Sequence, residues 1–296
     1  NFVLQDHMVA PTDSWTLPSL LDLVSAWSAI CSDHNDPMSC RGSLGGNGEK
    51  LQTPSDAADT PYAWTDITHL LHAADVSWGY YVAPGPTCYA NACDRKAAQD
   101  LTTGFQNPMP GFLTVKENDQ RKNILTHDDY LAAAGSGDLP SVSWVMPSIG
   151  ESEHPGHSGI APGQEFVTGI VNATMEGPDW GSTAIFLTWD DWGGFYDHVP
   201  PTKVDQMGYG IRVPGLMISP YAKEGYIDSQ TLTFDAYLKL IEDRFLGGQR
   251  LDPATDGRPD PRTTVREDAK KLGDLAEEFD FEQDPRPPLL LDPNPH

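Results

Sequence analysis

Two adjacent carboxylates, Asp190 and Asp191, stand between an apolar run and a pair of glycines, Gly193 and Gly194. Side-by-side acids repel each other unless a cation or a proton sits between them. Glycines let backbone pass close to a ligand. The run before the pair, residues 184–189, is apolar and β-prone, which predicts a central parallel strand buried on both faces. Ligands of open α/β sheets bind beyond the carboxyl ends of the strands. A bare Asp-Asp is otherwise a solvated loop. The apolar strand before this pair and the Gly-Gly after it favour a cation site.

A second candidate is Thr16. Pro18 suits the first turn of a helix, and Leu20, Leu21, Val24 and Trp27 recur at helical spacing. Thr16 therefore lies at or just before a helix N-terminus, facing unpaired N–H groups and the positive end of the dipole. From the residues alone it is either a simple N-cap or a hydroxyl aimed at an anion. A third candidate segment is Glu153-His154-Pro155-Gly156-His157, which follows a predicted strand over 140–146. His69 and His72, without a carboxylate partner in sequence, read as structural or exposed.

These residues must be positioned by alternating elements. Strands are expected at 2–4, 76–82, 140–146, 184–189 and 211–219. Helices are expected after Pro18 and at 64–74, 130–134, 164–175 and from Thr233, which reads as the cap of a helix burying Phe234, Tyr237, Leu238, Ile241 and Phe245. Strand then helix then strand argues for a parallel sheet in an α/β fold. Residues 226–232 read as a loop and 247–262 as a linker. A surface helix is expected at 265–281, then an extended tail at 285–295 with Leu289, Leu290 and Leu291 packing back. This divides the chain into a main α/β domain, 1–250, and an acidic, Pro-rich extension, 251–296, packing on it.

The chain has 296 residues, with 19 Lys plus Arg against 43 Asp plus Glu, a net charge of −24. That balance excludes nucleic-acid backbones and anionic membrane surfaces as partners. No stretch is long enough to span a membrane. The cysteines, Cys31, Cys40, Cys88 and Cys93, lack Cys-x-x-Cys spacing. Two local disulfides, Cys31–Cys40 and Cys88–Cys93, in an oxidising compartment are expected. Asn172-Ala173-Thr174 is a glycosylation sequon inside an expected helix. The chain starts at Asn1 and runs straight into a strand, so upstream residues are expected to be absent from it.

The run Asp190-Asp191-Trp192-Gly193-Gly194-Phe195-Tyr196-Asp197-His198 resembles the signature of the bacterial phosphoesterase family of phospholipases C and acid phosphatases. That family belongs to the alkaline phosphatase-like superfamily. The resemblance covers most of residues 1–246. It implies a three-layer α/β/α fold with a mostly parallel central sheet, truncated at its N-terminus. It implies a secreted or periplasmic, metal-dependent hydrolase of phosphate monoesters or phospholipids, taken to be a monomer. Asp190 and Asp191 match the metal ligands. Thr16, just before the helix proline, matches the Ser or Thr nucleophile and would share the metal, through a phosphothreonine intermediate. His154 matches a histidine that contacts the substrate phosphate. His198 either approaches the metal or phosphate or orients the loop. The oxygen ligands suit Ca, Mg, Mn or Fe.

Three departures bear on this. Leu20 stands where relatives often carry Arg or His, and Ser229 where they commonly carry His. The Glu-Asn pair that completes the metal shell in the family does not precede Thr16. They keep open the alternative of a catalytically inactive extracellular binding protein on the same fold. Trp15, Trp189 and Trp192 are candidates for an apolar approach to the site, or for core. An acidic calcium-binding structural domain is disfavoured, since no Asp-x-Asp-x-Asp-Gly loop occurs.

Overall fold

A computed structural model describes residues 1–46, 48–54, 60–83 and 106–294. In chain order the elements are β1 (Val3–Gln5), α1 (Thr16–Ser25), β2 (Ala29–Cys31), β3 (Cys40–Gly42), α2 (Ile67–Ala73), β4 (Trp78–Val82), α3 (Leu113–Glu117) and β5 (Ile124–Thr126). There follow α4 (His127–Ser136), β6 (Val142–Val145), α5 (Ile160–Glu176), β7 (Ile185–Thr188), β8 (Gly215–Ile218), β9 (Ile227–Asp228) and α6 (Phe234–Phe245).

The protein is mixed α/β, with sheets that are partly parallel. One sheet has the order β5-β4-β6 and is parallel throughout. A second has the order β7-β8-β1-β9, in which, among the described residues, only β1 and β9 run parallel, and β2 and β3 form a separate antiparallel pair. This corrects the expectation for residues 184–189. β7 lies at an edge of its sheet, pairs antiparallel with β8, and all four of its residues are half-buried. An apolar β-prone run reports that a strand is wanted, but neither its direction nor its neighbours, which are set by distant segments. The strand expected at 211–219 shortens to β8, which begins after Pro214, a residue with no N–H for the ladder.

The largest core lies between α1, α2, α6 and the parallel sheet. Leu17, Leu20, Leu21 and Val24 bury one face of α1 among Trp27, Trp64, Phe112, Trp144 and Leu238. Trp27 meets Trp64 edge-on at 5.5 Å, a favoured aromatic geometry. Leu20 is thus a core residue. Thr233 occupies the N-cap position of α6, yet its hydroxyl makes no capping bond.

Residues 265–281 do not form the expected surface helix. They form two short 3-10 turns, Arg266–Asp268 and Leu275–Glu278. Arg266, Glu267 and Glu278 are buried, so the path follows buried polar partners rather than an amphipathic face. Leu289, Leu290 and Leu291 are substantially exposed, against expectation. The tail is held by backbone instead: Leu291 exchanges two hydrogen bonds with the Asn172 side chain, at 3.1 and 2.8 Å. Cys31 and Cys40 face each other across β2 and β3 in a disulfide. The Cys88–Cys93 pairing lies outside the described residues. Among the described residues no helix is long and apolar enough to cross a membrane.

Candidate active site

Thr16 is the first residue of α1, and Trp15 holds the N-cap position without a side-chain capping bond. Thr16 is therefore not the N-cap. Its hydroxyl lies beside the carboxyl of Asp190, two residues beyond β7, close enough to act on it. Asp190 is half-buried, but its Oδ2 is closed to solvent and has no hydrogen-bond partner among the described residues. Burial, then the charge of Asp191, push Asp190 above the usual carboxylate range, and the Thr16 hydroxyl partly offsets this. No arginine or lysine is among the leading influences on it. Tyr80 of β4 lies close enough for Asp190 to act on it. Burial, then that negative charge, push its phenol up, and its hydroxyl donates to Gln106 O at 3.0 Å.

The loop after the acids is pinned by short-range bonds. Asp191 Oδ1 accepts from the Gly193 N–H at 2.6 Å. That turn needs left-handed backbone at Gly193 (φ 60°) and Gly194 (φ 80°), which explains the glycine pair. Further on, Asp197 accepts two bonds from the Arg212 guanidinium, each at 2.9 Å, which hold it well below the usual carboxylate range. Arg212 also donates to Asp6 O beyond β1, tying the loop to the neighbouring strand end.

His154 sits in the loop between β6 and α5. Two contacts bracket it. Glu153 Oε2 accepts from the Trp189 indole N–H at 3.1 Å, and Pro155 lies beside Gly193, where an added Cβ would meet its Cγ at 3.3 Å. Residue 154 is therefore laid along the stretch 189–193 that contains the acid pair. His154 Nδ1 is 2.9 Å from Pro155 O, and a carbonyl can only accept, so Nδ1 carries the proton. The His157 ring stands 5.0 Å from that of His154. The structure thus brings Thr16 to Asp190 and lays His154 beside the 189–193 stretch. His198 is different: its side chain is 78% exposed, and its polar contact among the described residues is Asp197, not Thr16, Asp190 or Asp191.

Among the described residues no group of three or more His, Cys, Asp or Glu side chains is arranged to hold a metal ion. The fit of a cation is tested by Asp190 itself. A buried, unpaired carboxylate oxygen beside a second acid lacks a positive partner, and such groups are costly unless one is supplied. Two carboxylates and a hydroxyl are hard oxygen donors, so the residues fit an oxygen-preferring divalent ion.

Sequence reasoning missed Glu153, Trp189 as a donor, and Arg212. Glu153 was visible inside the Glu-His-Pro segment, but its bond spans 36 residues and left no local signal.

A helix N-terminus presenting a hydroxyl to an acid pair at a strand end is an arrangement for phosphoryl chemistry, and residues 1–246 match the family model described as Phosphoesterase family. The chain belongs to that family. It is 28% identical to phospholipase C B of Mycobacterium tuberculosis over 92% of this chain and 51% of that protein. It is 26% identical to a non-hemolytic phospholipase C of Pseudomonas aeruginosa over 71% of this chain and 34% of the relative. A non-hemolytic phospholipase C of Burkholderia pseudomallei is 34% identical over 62% of this chain and 32% of its own length. The chain spans about a third to a half of these relatives.

Proposed function

We propose that the protein is a metal-dependent phosphoric ester hydrolase of phospholipase C type, built on a three-layer alkaline phosphatase-like fold. The observation that carries this is the Thr16 hydroxyl, at the start of α1, beside Asp190, whose Oδ2 is closed to solvent and has no hydrogen-bond partner among the described residues. Family membership and the phospholipase C relatives support it. Asp190, Asp191 and Thr16 would hold the ion. When bound, it would neutralise phosphate charge and favour the threonine alkoxide.

The chain's own residues supply the rest. Thr16 Oγ1 would attack phosphorus, forming a Thr16–phosphate ester as the bond to the leaving alcohol breaks. The free N–H groups at the start of α1 would help to hold the phosphate. His154, with its Nδ1 proton engaged by Pro155 O, would contact a phosphate oxygen or pass a proton to the leaving oxygen through Nε2. Water then cleaves the ester and restores Thr16. His198, largely in solvent, would orient the loop through Asp197.

The substrate is proposed to be a phospholipid, on the relatives' names, rather than a soluble monoester. A secreted or periplasmic location is proposed on the Cys31–Cys40 disulfide. A second reading, a non-catalytic binding protein, draws on the buried Leu20 and on the two-carboxylate donor set.

The test is hydrolysis of p-nitrophenyl phosphorylcholine and p-nitrophenyl phosphate, with and without chelator and added divalent ions, beside Asp190→Ala. Metal-dependent turnover abolished by the substitution is expected, with the phosphorylcholine ester preferred. Turnover indifferent to both chelator and Asp190→Ala would defeat the proposal.

A further inference from the structure

The loop that carries His154 has no regular structure of its own, yet it is fixed at one unusual point. Glu153 adopts a left-handed backbone conformation (φ 59°), uncommon for a residue with a side chain. Such strain persists only where surroundings over-determine it, and it clusters at functional sites. Two neighbours supply the constraint. The Trp189 indole donates to Glu153 Oε2 at 3.1 Å. Gly163, in the first turn of α5, leaves room for the Glu153 side chain: a Cβ there would overlap it. The carboxylate is thus clamped between the start of α5 and the residue immediately before Asp190.

We propose that Glu153 is a positioning residue: its carboxylate latches the His154 loop to Trp189 and so sets the histidine against the acid pair. The inference rests on the reading of His154 as a phosphate-side residue. Pro155 against Gly193 makes the second point of attachment, so the latch fixes the rotation of the segment between two anchors. Trp189 serves here as a donor, not as an apolar wall. Its ring is also packed partly against the main core, so the latch refers the loop to that core. The carboxylate need not be ionised to act; it needs an oxygen acceptor at one place.

The chemistry separates latch from fold. Glutamine keeps an acceptor oxygen of the same reach, so E153Q retains the bond. Glycine accepts a left-handed backbone without strain, so E153G removes the bond while easing the conformation. W189F removes the donor and keeps most of the ring.

The experiment uses the full chain with added divalent ion, p-nitrophenyl phosphorylcholine as substrate, and NMR of the indole N–H groups. The Trp189 signal is assigned by its loss in W189F. Hydrogen exchange at that N–H is expected to quicken at least about tenfold in E153G and to stay slow in E153Q, since a broken bond exposes the donor. E153G and W189F are expected to lower kcat/KM roughly 10- to 100-fold, the scale of an ångström's misplacement. The double variant is expected to be no worse than the worse single, since both break one link. The melting temperature of E153G should not fall, whereas a purely structural role would lower it. Wild-type kcat/KM in E153G, losses that multiply in the double variant, or unchanged indole exchange would each overturn the proposal. Absence of turnover in every form would overturn the phosphoesterase reading and the positioning role with it. The exchange data would still report whether the latch exists, so the two failures are distinguishable.

Discussion

The protein buries acids in two places and treats them in opposite ways. At the end of β7, Asp190 and Asp191 stand together without an arginine or lysine among the leading influences on Asp190. In the seam between the C-terminal segment and helices α1 and α6, Asp22, Asp235 and Glu267 are more deeply buried still, but the chain brings its own cations. Arg266 there is 1% exposed and donates to Asp22, Asp205, Pro11 O and Gly208 O. Arg262 clasps Asp260 and donates to Ser25 O, and Arg250 joins Glu242, Asp243 and Asp268. Against the burial that would raise it, the Arg266 bonds hold Asp205 below the usual range. Burial lifts Asp22, and Arg266 opposes the lift. The seam carries cations that belong to the fold, although Asp22 Oδ2 and both carboxylate oxygens of Asp235 and Glu267 have no hydrogen-bond partner among the described residues. The strand end has a negative site whose partner the chain does not itself provide among the described residues. That contrast, more than acidity, separates a site from a scaffold.

The comparison breaks most visibly in stability. Arg266→Ala leaves Asp22 and Asp205 buried without their partner, and breaking a buried pair costs about 3–5 kcal/mol. Asp190→Asn keeps a side chain of the same shape and removes a charge beside Asp191, so its melting temperature should stay level or rise. Thermal denaturation of both variants without added metal decides this. If Asp190→Asn destabilised the protein as Arg266→Ala does, the strand-end acids would be scaffold too.

A smaller effect appears with pH. Glu278 is pushed up to about 8, by burial first and then by Asp228, while the Gln5 amide bonds at 2.8 and 3.1 Å pull the other way. Burial, then the facing Glu267, lifts Glu242 as well. A carboxyl raised in the folded state binds its proton more tightly there than in the unfolded chain. Its contribution is full below its ordinary value of 4.5 and is lost as pH rises towards about 8. The melting temperature should therefore decline from about pH 5 to pH 8, and E278Q should flatten part of that decline. A melting temperature that rises over this window would mean that the seam carboxyls are ionised in the fold.

What could be read in advance follows the range of the interactions. The start of α1 was legible because Pro18 and the leucine spacing are local, and with it the place of Thr16. The acid pair was legible because a strand and two glycines flank it. The direction of β7 was not, since its partner β8 lies beyond a long loop. The C-terminal turns were misjudged as a helix because Arg266 finds Asp22 across 244 positions of sequence. Glu153 was hidden for a related reason: its backbone conformation is imposed by Gly163 and Trp189, neither of which has a local pattern pointing at it.

The smallest expected effect tests the criterion itself. Asp190 has a buried oxygen without a partner, but such oxygens occur elsewhere, on Asp22, Asp235 and Glu267 among others. The Thr233 hydroxyl, at the N-cap position of α6, is also buried and unbonded among the described residues. The two differ in charge and surroundings. Thr233 is neutral, belongs to a helix packed into the core, and has no adjacent acid in sequence on its N-terminal side. Replacing it by valine exchanges an unpaired hydroxyl for a methyl group of similar size. Removing an unsatisfied buried polar group is near neutral or stabilising, within about 1 kcal/mol. Thr233→Val should therefore leave turnover unchanged and shift the melting temperature slightly, most plainly upward. If it instead reduced turnover as Asp190→Ala is expected to, an unpaired buried oxygen would report general strain in this fold rather than a waiting cation. The strand-end acids would then have to be identified by metal binding alone.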